Sequence, residues 1–139
     1  NTGGGGGGAR DNTGGVGGTG IVIVRQVDAY EDMTLASNAY TAQADPTTIR
    51  IIMDEYTGTG SSTINTDIKA YASRDGGTTY TQITSLASQG TIETTHRLLS
   101  GSVDISGQPS GTSVKYKIET LNQTISKQTR VYGTSMAWA

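Results

Sequence analysis

Glycine decides where this chain can build a core and where it cannot. Gly3 to Gly8 form an unbroken tract, and Gly14, Gly15, Gly17, Gly18 and Gly20 continue it with few residues between them. Glycine loses the most backbone freedom on ordering and has no side chain to bury, so residues 1–20 cannot hold one shape through a core of their own. The tract stops at Ile21-Val22-Ile23-Val24-Arg25, the longest aliphatic run of the chain. β-Branched residues in such a run favour a pleated, buried surface. The boundary reads as a glycine-rich leader or linker over 1–20 handing over to a strand. Residues 21–139 then form a single domain that the leader tethers to something larger. Gly15-Val16-Gly17-Gly18-Thr19-Gly20 is a literal GxGxxG, but a dinucleotide site needs those glycines after a strand and before a helix. Here they precede a strand and no Lys follows, so neither a dinucleotide nor a nucleoside triphosphate is expected, and no cofactor is assigned.

A chain of 139 residues suits one core. About a quarter of it is Ser or Thr, and with Val, Ile and Tyr these favour strands over helices. Ten basic and twelve acidic residues are spread without blocks, which gives no footprint for nucleic acid. The aliphatic run is far short of the ~20 residues that cross a bilayer, so no membrane insertion is expected. There is no cysteine, hence no disulfide and no thiol chemistry. No signal peptide is visible and the first residue is Asn1, which fits a processed product or a piece of a longer polypeptide.

Period-2 patterning recurs along the rest of the chain. Residues 27–37 read as a turn and a short strand, and 39–45 as a loop ending at Pro46, which suits the mouth of a strand. Thr48 to Glu55 then alternates, with Ile49, Ile51 and Met53 on one face and Arg50, Ile52 and Asp54 on the other. Residues 57–63 are a loop by composition. Thr66 to Arg74 alternates Ile68, Ala70 and Ala72 with Lys69, Tyr71 and Ser73, and Asp75-Gly76-Gly77 turns the chain back into Thr78 to Thr84 as a hairpin. Gly90 is expected to break the chain before residues 91–106, which suffice for two strands or one bent at Gly101. Leu99, Val103 and Ile105 would line its apolar face. After the turn at Pro109-Ser110-Gly111, Val114, Tyr116 and Ile118 alternate with Lys115, Lys117 and Glu119, and residues 129–138 close the domain. About eight short strands with turn chemistry between them predict an all-β, antiparallel, jelly-roll-like sandwich. Trp138, next to the last residue, is expected to be held in the core or at a subunit boundary, because a large aromatic otherwise frays.

Two stretches resemble known families. Gly14 to Arg25 is similar to the closing segment of the glycine-rich domains of phage tail fibres and bacterial surface proteins, where glycine tracts end in a Gly-Ile-Val-Ile-(Val/Ile)-Arg strand. The remainder, through Met33-Thr34-Leu35, Asp75 to Tyr80, Lys115 to Asn122 and the final Ala137-Trp138, resembles the C-terminal β-domain of phage virion structural proteins. The resemblance implies a non-enzymatic trimer or lattice component on the outside of a particle, in contact with other virion proteins and the host surface. A third likeness is to the Asp-box of sialidases, Ser-x-Asp-x-Gly-x-Thr-Trp, in Ser73 to Tyr80 with Tyr in the aromatic place. That likeness implies a structural turn of Asp75, Gly76, Gly77 and Tyr80, with Asp75 accepting from turn amides and Tyr80 packed beneath.

Reactive side chains are sparse. His96 is the only histidine, and without cysteine it lacks the companions a zinc site needs. Asp28, Glu31 and Asp32 form one acidic group and Asp54-Glu55 another, with no EF-hand spacing. Asp54 and Glu55 are adjacent in a strand and face opposite ways, so they cannot form a glycosidase acid pair. No catalytic or metal residue is assigned. Tyr56, beside the 57–63 loop, is the candidate ligand contact, since an aromatic ring can stack on a sugar. The expected role is a virion surface protein, extracellular and homotrimeric, in contact with a host glycan. The alternative is a bacterial extracellular carbohydrate-binding or adhesive module, or a filament subunit; a third reading, a glycan-cleaving enzyme, would need an acid pair other than Asp54 and Glu55.

Overall fold

A computed structural model describes residues 30–139. The glycine-rich leader and the strand expected at Ile21 to Val24 lie outside the described residues. Nine strands follow in order: β1 Met33–Ala36, β2 Tyr40–Thr41, β3 Thr48–Tyr56, β4 Ile68–Ser73, β5 Thr81–Gln82, β6 Ala87–Glu93, β7 His96–Asp104, β8 Ser113–Thr120 and β9 Arg130–Trp138. Among the described residues there is no helix. The strands form two antiparallel sheets packed face to face, one ordered β1-β8-β4-β5 with β2 also on β8, the other β6-β7-β3-β9. This is the expected all-β sandwich. Early strands pair with late ones, β1 and β2 with β8 and β3 with β7, which is the nested part of a jelly roll. The local hairpins β4–β5 and β6–β7 and the extra strand β9 depart from a complete one.

The core is what the alternation predicts. Ile49, Ile51 and Met53 of β3, Ile68, Ala70 and Ala72 of β4, Leu99 of β7, and Val114 and Ile118 of β8 meet between the sheets, joined by Ile83, Leu86 and Ile105 from the connections. Ile52, on the outer face of β3, is half-buried as expected. The expected hairpin after β4 is present, with Tyr71 opposite Gln82 and Ala72 opposite Thr81, although its second arm is only two residues long.

Three expectations need correction. Residues 39–45 are not all loop, because Tyr40 and Thr41 pair with Val114 and Ser113 as β2. Together β1 and β2 form one interrupted edge, and at the interruption Ser37 replaces the missing ladder contact. Its amide donates to the Tyr116 carbonyl at 2.9 Å and its Oγ accepts the Tyr116 amide at 3.1 Å. Gly90 does not break the chain; it sits inside β6 at a bulge, with φ of 117°, a value that glycine adopts without strain. The real turn lies at residues 94–95, so two strands form. Gly101 does not bend β7 either. A Cβ there would lie 2.7 Å from both Cα and N of Leu86, so the glycine is needed for close approach of a second backbone.

Candidate functional site

On the outer face of the second sheet, register puts side chains from three strands together. Tyr56 at the end of β3 is opposite His96 of β7 on one side and Arg130 of β9 on the other. Between Asp54 and Glu55 the pairing with β9 slips by one residue: Gly133 faces Asp54, Val131 faces Glu55, and Tyr132 is left unpaired. That bulge turns Tyr132 outward, where it is 61 % exposed. The ring centres of Tyr56 and Tyr132 lie 6.0 Å apart, those of His96 and Tyr132 5.0 Å, and those of Tyr56 and His96 5.4 Å. The Arg130 guanidinium lies 5.5 Å from the Tyr56 ring centre. Nδ1 of His96 is 2.9 Å from Oδ1 of Asp54, which orients the imidazole. A Cβ on Gly58 would collide with the end of the Tyr56 ring, so the 57–63 loop passes close against it.

Tyr56, the sequence candidate, is therefore half-buried, and Tyr132 presents the freer ring. Sequence reasoning missed Tyr132 because nothing in period-2 patterning marks a bulge. The triad of Tyr56, His96 and Tyr132 offers two phenol rings and an imidazole, with an acid and a guanidinium at its rim. Such a surface can stack on the C–H face of a sugar ring while polar groups meet its hydroxyls.

The other candidate, Asp75, is placed as a structural turn. Its Oδ1 accepts the Thr79 amide at 2.9 Å and the Ser73 hydroxyl at 2.7 Å, while Ser73 Oγ accepts the Gly77 amide at 2.9 Å. Gly76 and Gly77 have φ of 77° and 91°, the left-handed values the turn requires. The Tyr80 hydroxyl packs against Gly77, where a Cβ would lie 2.7 Å from it. Burial alone would raise the Asp75 pKa, but the hydrogen bonds from Thr79 and Ser73 outweigh it and hold it at about 2. Its other oxygen, Oδ2, is buried with no hydrogen-bond partner among the described residues.

The remaining charged groups hold loops. Glu55 continues the inward-facing row of Ile49, Ile51 and Met53 and is completely buried. Arg97 Nε meets its Oε2 at 2.6 Å and the Ser62 hydroxyl meets Oε1. Arg74, also buried, donates to the carbonyls of Pro46 at 3.0 Å, Ser106 at 2.8 Å, Pro109 at 3.1 Å and Gln108, drawing the loops at that end together. Asp67 accepts the Thr63 amide at 2.8 Å, Asn122 at 2.9 Å and Lys127 at 2.9 Å. The Thr63 amide is the largest reason its carboxyl lies well below the usual range. Alternation alone placed Glu55 inside, so that signal was readable; the carbonyl partners of Arg74 come from distant loops and were not.

Among the described residues, no group of three or more His, Cys, Asp or Glu converges as a metal site. Of the first acidic group, Asp28 lies outside the described residues and Asp32 accepts the Gln123 amide at 3.1 Å. His96 pairs with Asp54 alone among the acids. Trp138 is not in the core. It pairs in the ladder with Ile49, lies 6.4 Å from Tyr40 between ring centres, and is 38 % exposed. A scan against protein-family models, a search of curated proteins and a search of solved structures each returned no match to this chain.

Proposed function

We propose that this chain is a non-enzymatic structural module of a virion surface, from a tail fibre, appendage or capsid decoration. In this reading it assembles symmetrically with itself and contacts a host-surface glycan through Tyr56, His96 and Tyr132. The observation that carries the glycan contact is the bulge in β9, which places an exposed Tyr132 ring against Tyr56 and His96 with Asp54 and Arg130 at the rim. A non-catalytic role is supported by the engagement of the acids: Glu55 is buried against Arg97 and Ser62, and Asp54 is paired with His96. Trimeric, extracellular assembly is supported by the resemblance of residues 14–25 and of the remainder of the chain to phage structural proteins.

A glycan array with the wild-type chain and Tyr132→Ala tests the site. The expected result is binding of at least one sugar class that Tyr132→Ala loses while its thermal unfolding stays unchanged. Binding that is equal in the two proteins, or absent from both, would overturn the site. A second reading, a bacterial carbohydrate-binding module, draws on the same triad. Native mass measurement separates the two, since a module of that kind binds its sugar as a monomer and a virion component forms a stable symmetric oligomer.

A further inference from the structure

Among the described residues, one side of the sandwich has no strand or crossing over it. Leu35 is opposite Ile118 and Tyr40 is opposite Val114, so both point between the sheets, as does Met33 opposite Thr120. On the facing edge, Trp138 and Met136 are opposite Ile49 and Ile51 and also point inward. Inward positions in a sandwich are normally covered, yet Met33, Leu35, Tyr40 and Trp138 are 40 %, 42 %, 47 % and 38 % exposed. A cleft of about 460 Å³ between residues 41–46 and Trp138 and a second of about 220 Å³ between Tyr40, Tyr116, Met136 and Trp138 run along this seam. Among the described residues, β1 and β2 pair only with β8, and β9 only with β3, so neither edge carries a further strand from residues 30–139. An apolar row beside free strand edges is a template for one more strand.

We infer that the run Ile21-Val22-Ile23-Val24 of the same chain fills this seam, pairing with the free edge of β1. Three features select this occupant. It is the longest aliphatic run in the sequence, and it is apolar on both faces. Only residues 25–32 separate it from β1, and eight residues span at most about 26–29 Å, ample for a hairpin between strands ~4.8 Å apart. A tether that short gives the run an effective concentration of about millimolar, which a separate molecule would have to match. The strand would set two of its four side chains against Leu35, Tyr40 and Trp138, and would leave the glycine tract emerging from the edge of the sandwich. This inference does not rest on the glycan reading, which concerns the outer face of the other sheet.

Trp138 is the only tryptophan, so its fluorescence reports on the seam. In the full chain its emission is expected to be blue-shifted from that of hydrated indole and independent of protein concentration. Because side chains alternate along a strand, of the double variants Ile21→Ser/Ile23→Ser and Val22→Ser/Val24→Ser, one is expected to shift the emission red and raise acrylamide quenching. The other should do so less, with far-ultraviolet circular dichroism unchanged in both. Emission of hydrated indole in the full chain, or no shift in either variant, would overturn the inference. So would a blue shift that disappears on dilution together with a fall in native mass, since a second copy would then be the cover. Loss of sugar binding by Tyr132→Ala leaves all these readouts unaffected, so the two ideas fail separately.

Discussion

The two sides of this sandwich follow the same alternation and end differently. Where β5 hands over to β6, the chain crosses between the sheets through Ile83 and Leu86, both buried, and the Leu86 backbone rests directly on Gly101. Ser85 fastens the crossing, donating from Oγ to the Ser102 carbonyl at 2.6 Å and accepting the Ser102 amide at 2.9 Å. On the opposite side, no crossing among the described residues lies over the inward-facing Leu35, Tyr40 and Trp138. A sheet edge is therefore closed by what the chain does between strands; the strand pattern only supplies the apolar row. The crossing adds Ile83 and Leu86 to the core, whereas on the other side the exposed inward row leaves another segment something to bury.

The sharpest way to break this comparison is to shorten a side chain on each side. Ile83→Ala is expected to cost about 2–5 kcal/mol, the range for emptying a tightly packed core position. Urea unfolding measures it, and a loss under about 1 kcal/mol would mean that the crossing is not a packed closure. Next in size, Gly101→Val places carbon within van der Waals distance of main chain that cannot swing aside, and about 1–3 kcal/mol is expected from the same measurement. A variant as stable as the wild type would show that the crossing can lift.

The Asp75 turn delivers the chain to the closed side, and its protonation offers a third probe. Asp75→Ala is expected to cost about 1–3 kcal/mol through loss of the bonds from Thr79 and Ser73. The folded pKa of about 2 lies below the ordinary 3.8, so the carboxylate stabilises the fold fully above 3.8. That contribution is lost as the pH falls through 3.8 towards about 2. Thermal unfolding between those pH values should be less steep in Asp75→Ala than in the wild type, and equal slopes would remove the carboxylate from the account. The smallest effect is expected on the open side, where Leu35→Ser should change unfolding of a chain lacking residues 1–25 by no more than about 0.5 kcal/mol. A larger loss in the full chain than in the shortened one would sharpen the comparison by showing that the seam is filled.

Much of the architecture was legible along the chain. The rows Ile49-Ile51-Met53, Ile68-Ala70-Ala72 and Val114-Ile118 face the core as their spacing predicts, and Asp75-Gly76-Gly77 forms its turn. The candidate site was legible only in part. Tyr56 sits where an aromatic contact was expected, but its partners lie far away in sequence: His96 arrives with β7, and Tyr132 and Arg130 with β9. Two glycines misled, Gly90 as a break and Gly101 as the bend of one of two alternatives. Gly90 is accommodated by a bulge, and Gly101 makes room for another backbone, a demand that one strand cannot reveal by itself.

Sequence by itself determined the all-β class, the faces of the strands and the chemistry of the turn at Asp75, because side-chain alternation and backbone preference act within a few residues. Tertiary structure alone decided which strands are neighbours, that Arg74 gathers four distant carbonyls, and that one slipped residue turns Tyr132 outward. It also decided that, among the described residues, one side of the sandwich is sealed by a crossing and the other is not. A local pattern can say that a side chain faces inward, but what lies opposite it depends on contacts made across the whole chain.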